Sequence, residues 1–216
     1  MPSAKSILDG LTRIATDAVA VAIGWHIVVA MVVAAFLLGL RPQKRFAAAA
    51  LSAPLASVGV LALSFGNPFN GAVFSLLAIA LAVLALHPQQ GPVAFGSTWS
   101  TVLGCSLIAF GLVYPHFLGE APWFKYVYAA PLGTIPCPTL SVVVGATLIV
   151  DGFGLRAWRL VVAGVACFYA LFGAIRLGVL IDIILLGGVI GLLAQYRMGA
   201  PRRASVSLEH QLDGSL

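Results

Sequence analysis

The chain has 216 residues, of which 61% are hydrophobic and only 9% charged. Soluble domains run near 45–50% apolar and about 25% charged, so this composition excludes a soluble globular enzyme, a disordered chain, a collagen-like chain and a coiled coil. A net charge of +5 would hint at nucleic acid in a soluble protein. Here the basic residues flank apolar runs, where they set topology and meet anionic lipid headgroups, so nucleic acid is not an expected partner.

What remains is an all-α fold, a polytopic membrane helix bundle. At the N-terminus, Ile7, Leu8, Leu11, Ile14 and Ala15 recur at helical spacing and predict an amphipathic segment over 1–17 lying on the membrane. Lys5 and Arg13 are accompanied by Asp9 and Asp17, and the apolar run behind them is too long for a cleaved h-region, so the segment does not read as a signal peptide.

A helix needs roughly 20 apolar residues to cross about 30 Å of hydrocarbon. About seven such transmembrane helices are predicted within 18–196, over 18–40, 46–65, 71–86, 98–117, 138–150, 157–175 and 182–196. Their breaks have physical causes. Arg41, Pro42, Gln43, Lys44 and Arg45 do not sit cheaply in lipid, and Gly66, Asn67, Pro68 and Asn70 are turn residues. Pro88, Gly91 and Pro92 interrupt next, then Asp151, Gly152 and Gly154. The last break rests only on Arg176, Gly178 and Asp182. Asp182 is expected to cap the final helix and pair with Arg176, and Asp151 to lie near Arg156 and Arg159.

Seven crossings put Arg41, Lys44, Arg45, Arg156, Arg159, Arg197, Arg202 and Arg203 on one side, and Lys5, Arg13, Lys125 and Arg176 on the other. The positive-inside rule then predicts an outside N-terminus and an inside C-terminus, with 197–216 a polar cytoplasmic tail. The expected location is the cell (inner) membrane, multi-pass. Gly187 with Gly191, and Ala166 with Ala170 and Ala174, are small-residue patterns read as ordinary helix packing within one bundle. No internal repeat supports an inverted-repeat transporter.

The longest connection, 114–137, is a proline- and aromatic-rich outer loop expected to cap the bundle or dip back into it. It carries Tyr114-Pro115, then Pro131-Leu132-Gly133, then Pro136-Cys137-Pro138-Thr139 ahead of an apolar helix. This Tyr-Pro to Pro-Cys-Pro-Thr arrangement resembles an uncharacterised family of bacterial multi-pass membrane proteins. The resemblance covers about the last half of the chain and implies an architecture, not an activity. The first helix departs from it, with His26 following Trp25 where that family would place a proline, so no role for His26 comes from the resemblance.

Cys137 can be read from its own surroundings. Pro138 suits the first helical position, which places Cys137 at or near the N-cap. There the helix dipole favours a thiolate, a competent soft-metal ligand. His116 and His26 are the expected co-ligands, with Glu120 nearby in the loop. The alternative is that Cys137 fills a tight turn, His26 bonds a neighbouring helix and His116 is solvated. No HExxH, GxSxG, P-loop or dinucleotide motif occurs. Histidines at three different depths do not suit a bis-histidine haem, and no cofactor is indicated.

Two functions follow. One is a membrane protein handling a small solute or soft metal ion at its outer face through Cys137, His116 and His26. The other is a non-catalytic membrane subunit or scaffold, whose partners would be the lipid bilayer and a membrane protein or a second copy of the chain. A thiol enzyme is disfavoured, because no general base is placed by the sequence.

Overall fold

A computed structural model describes residues 3–87, 91–118 and 122–198. Glu120, and the tail beyond Met198, lie outside the described residues. The helices are α1 (Ala4–Asp17), α2 (Val19–Leu37), α3 (Lys44–Ser64), α4 (Pro68–Leu84), α5 (Thr98–Leu112), α6 (Tyr126–Ala129), α7 (Pro136–Ile149), α8 (Arg156–Leu171) and α9 (Ile184–Met198). The π-helical segment Phe172–Arg176 continues α8, and the short turn Leu180–Ile183 leads into α9. The fold is all-α. Among the described residues the only sheet-like pairing is an isolated bridge between Gln43 and Pro92.

Each predicted apolar run contains a helix, but the lengths differ. Four helical stretches are long and apolar enough to cross a membrane: Val19–Leu37, Lys44–Ser64, Arg156–Arg176 and Leu180–Met198. Helices α4, α5 and α7 have 17, 15 and 14 residues. Helix α5 stops at Leu112 rather than 117, since Pro115 disfavours helical backbone at Tyr114 before it. Helix α7 starts at Pro136, earlier than 138, with Ile135 as its N-cap. Cys137 is therefore the second residue of the helix and not its cap.

At 1.5 Å per residue α7 is only about 21 Å long. The chain before it makes up depth without helix, for residues 130–135, between α6 and α7, are all buried. Backbone buried in this way must find its partners inside the protein. Leu132 N–H donates to Ala130 O (2.6 Å) and Ile135 N–H to Pro131 O (3.2 Å). Gly133 N–H donates to Thr139 Oγ1 (2.8 Å), while Ser57 Oγ donates to Gly133 O (2.6 Å). Gly133 has φ +71° and its Cα faces the Trp25 indole so closely that no side chain fits.

Helix α7 is the central element, packed against α3, α5, α8 and α9. Glycines bring it onto α5. A Cβ on Gly104 would lie 2.5 Å from Gly145 O, one on Gly145 2.5 Å from Gly104 O, and one on Gly111 2.7 Å from Pro138 O. The antiparallel pair thus touches backbone to backbone, as small residues allow in apolar bundles. On α9 the glycines in contact are Gly188, against Val144 and Leu107, and Gly191, against Leu103 and Leu148, whereas Gly187 faces open space. Ala166 and Ala170 on α8 are fully buried in the main core.

The bundle has two ends with different contents. At one, Lys44 N–H donates to Gly91 O (3.1 Å) and Gly96 N–H to Ile149 O (2.7 Å). Asp151, Gly152, Phe153 and Gly154 all have positive φ there. This left-handed turn buries Phe153 against Trp158 and holds the buried Arg159 on the Asp151 carboxylate at 3.0 Å. At the other end, α1 lays Leu11, Ile14 and Ala15 onto Tyr114, Phe117, Ala130, Ile135 and Val179 to form a second, smaller core.

Candidate functional site

The residue that organises this second end is Asp182. It lies in the turn before α9 and is 2% exposed. Its carboxylate accepts Tyr114 Oη–H at Oδ1 (2.6 Å) and Cys137 Sγ–H at Oδ2 (3.2 Å). A buried carboxylate is tolerable only when its oxygens are satisfied, and here they are satisfied by two elements far apart in sequence. The expected helix-capping role of Asp182 is replaced by this tie, which joins the end of α5, the start of α7 and the approach to α9. Gly173, in the π segment, leaves the room it needs, because a side chain there would collide with Oδ2. π segments recur at functional sites.

Next to Asp182 is a cavity of about 310 Å³. Ile7 and Leu11 of α1, Phe117, Ile135 and Phe172 contribute apolar wall, while Asp182, Cys137, Tyr169, Asn67, Asn70 and Arg176 contribute the polar atoms. Tyr169 is held in place by donating to Asn70 Oδ1 (2.8 Å) and by stacking edge-on against Phe74. Asn67 caps α4, its Oδ1 accepting the Asn70 N–H at 3.1 Å. Phe117 is held at φ +75°, an unusual conformation for a bulky residue, and it stacks parallel to Tyr114. An apolar hollow with a few converging polar groups is the usual form of a small-molecule site.

The predicted ligand set does not assemble. Cys137 is at the cavity, but its sulfur is a donor to Asp182, so the arrangement holds a thiol and not the expected thiolate. His26 is spent elsewhere, with Nδ1 2.8 Å from Ala22 O and Nε2 2.9 Å from Leu112 O. It fastens α2 to the end of α5. His116 turns edge-on to Phe117 at 4.3 Å between centroids. Although part of its surface is exposed, partial burial holds its imidazole below the ordinary value. Among the described residues no group of three His, Cys, Asp or Glu side chains is placed to hold a metal ion. Cys137 and His26 are each hydrogen-bonded to other groups, and His116 packs against the Phe117 ring.

Asp182, Tyr169, Asn67 and Asn70 were not legible as site residues. The asparagines carry turn and cap signals, and Asp182 carries a cap signal. Only their spacing in three dimensions sets them beside Cys137. Tyr114 did stand out, through the Tyr-Pro pair. Comparisons with protein-family models, curated proteins and solved structures give no match to this chain.

Proposed function

We propose that the chain is a seven-crossing membrane protein, N-terminus outside and C-terminus inside, that binds a small, mainly apolar solute in the outer-end cavity. The cavity beside Asp182 is the observation that carries this reading. Its mainly apolar wall suits a molecule that partitions into lipid, and a few polar side chains among the lining residues could orient a head group. Helix α1 contributes two apolar residues to that wall, so a solute entering from the membrane surface meets an amphipathic helix first. The reading is of binding or passage, not catalysis. The likeness to an uncharacterised family of bacterial membrane proteins in Tyr114-Pro115 and Pro136-Cys137-Pro138-Thr139 belongs with this proposal. Two of its residues, Tyr114 and Cys137, are the donors to Asp182.

Native mass spectrometry of the full chain extracted from membranes tests it. A co-purifying apolar molecule is expected, and Ile7→Trp, which fills the cavity from the α1 side, should reduce its occupancy. Equal occupancy in the variant would count against the cavity as the binding place.

A subunit role has one supporting observation. In α2 only 6% of the apolar window is buried, against 50% in Arg156–Arg176. Apart from the side that carries Ala22, Trp25 and His26, helix α2 is open to lipid or to a neighbouring membrane protein.

A further inference from the structure

We infer that Cys137 is an acyl-acceptor site: its thiol takes an apolar acyl group from a lipid-soluble thioester held in the outer-end cavity, and Asp182 takes the thiol proton. The inference rests on the proposed binding function and adds what happens to the molecule held there.

The sequence places no base for this thiol, but the fold brings one from 45 residues away. Cys137 Sγ–H donates to Asp182 Oδ2 at 3.2 Å, and Tyr114 Oη–H donates to Oδ1 at 2.6 Å. A nucleophile bonded to a base, with the base held in turn by a third group, is the arrangement that activates a nucleophile. Gly173 keeps the space for the base, since a Cβ there would collide with Oδ2. The chain carries its own controls in Cys105, which is exposed, and Cys167, which is partly buried. Among the described residues neither of them has a carboxylate partner.

The thiol is also the one place where its segment opens. Between 129 and 145 every residue is buried except Cys137, and Cys137 lines the cavity together with Asp182. A molecule in the cavity therefore meets nucleophile and base side by side. Ile7, Leu11, Ile135 and Phe172 give it an apolar wall suited to an alkyl chain. A volume of about 310 Å³ is at the small end for ligand sites, room for the carbonyl and the near part of a chain. A thioester carries no charge, so neither Asp182 nor Arg176, which share the lining, repels it.

The step needs no further reagent. As Sγ attacks the carbonyl carbon, its proton passes to Asp182 Oδ2. A sulfur–carbon bond forms, the bond from that carbon to the donor's sulfur breaks with its electron pair, and Asp182 returns the proton to the departing thiolate. One thioester is exchanged for another, with nothing oxidised or reduced. An oxygen ester would have to run uphill to acylate a thiol, which is why the donor class is a thioester.

The test exposes the full chain in detergent micelles to decanoyl N-acetylcysteamine. Acyl groups are located by mass spectrometry after digestion and identified as thioesters by their release with neutral hydroxylamine. One acyl group per chain is expected, on Cys137, formed at least about a hundredfold faster than on Cys105 or Cys167, the low end of what a positioned base contributes. Asp182→Asn should slow acylation of Cys137 by about a hundredfold or more. If that variant does not fold, the comparison of the three thiols in the unaltered chain decides. Equal rates at the three thiols, or undiminished acylation in folded Asp182→Asn, would overturn the inference. The methyl ketone of the same chain length has no leaving group, and its binding to the unaltered chain is read by native mass spectrometry. Bound ketone with Cys137 left unacylated by the thioester would overturn the acceptor site and leave the cavity function standing. A chain that neither binds the ketone nor is acylated would overturn both.

Discussion

Asp182 shows how one buried carboxylate can join elements that the sequence keeps far apart. Removing its charge should separate its roles. In Asp182→Asn one oxygen remains to accept a single donor, and the new amide N–H group faces the other donor. Leaving a buried donor unpaired costs about 1–3 kcal/mol, so the thermal midpoint of the purified full chain should fall. Cys137→Ser should stay near wild type in the same melt, because a hydroxyl also donates to Oδ2. Cys137→Val should fall with Asp182→Asn, because it removes the donor. A melt in which Ser and Val behave alike would show that the 3.2 Å sulfur contact contributes nothing. At this scale the flanking prolines single out Cys137 in the sequence, yet not its partner. A lone Asp before a helix carries the pattern of a cap, and nothing in linear spacing distinguishes a cap from a carboxylate reaching two other helices.

Helix positions were far more legible, because apolar length and turn residues are local properties. All seven apolar runs contain helices, and the largest errors lie at ends where proline or buried loop backbone takes over, as at Pro115 and at 130–135. Partner choice was not legible. Gly187 and Gly191 have the spacing of a close-packing motif, but the contact runs through Gly188 and Gly191. Gly104 and Gly145 belong to no short motif, since their complementarity lies between two helices. Substitution can separate pattern from contact. Gly145→Leu should destabilise by about 1–3 kcal/mol or more, because its side chain meets Gly104 backbone that cannot withdraw. Gly187→Ala has open space and should be neutral or stabilising by up to about 1 kcal/mol, from helix propensity alone. Chemical or thermal unfolding of the two variants in one detergent checks the order, and a reversed order would mean that α5 and α7 do not touch at these glycines.

On the scale of the whole molecule, the two ends of the bundle differ in charge as well as in content. Arg41, Lys44, Arg45, Arg156, Arg159 and Arg197 belong to the end where Gly96 bonds Ile149 and Gln195 Nε2 bonds Leu148 O (2.9 Å). Lys5, Arg13, Lys125 and Arg176 belong to the end of the cavity. The asymmetry supports placing the basic end in the cytoplasm, because positively charged loops resist translocation. In the proposed orientation the cavity and α1 would lie on the outer side, where Arg13 stands over the Phe65 ring at 5.8 Å. Single cysteines at Gln43 and at Lys125, in a chain with Cys105, Cys137 and Cys167 replaced by serine, report the two ends separately. A membrane-impermeant maleimide applied to intact cells should label position 125 and leave position 43 untouched until the cells are opened. A reporter fused at the C-terminus should be active only in the cytoplasm. If position 43 is labelled from outside, the bundle is inverted and the cavity opens to the cell interior. If both positions are labelled, or neither, an even number of crossings separates them. Between those two positions α3 is long enough to span, while α4 and α5 have 17 and 15 residues, so in this stretch the two short helices are where the count would fail.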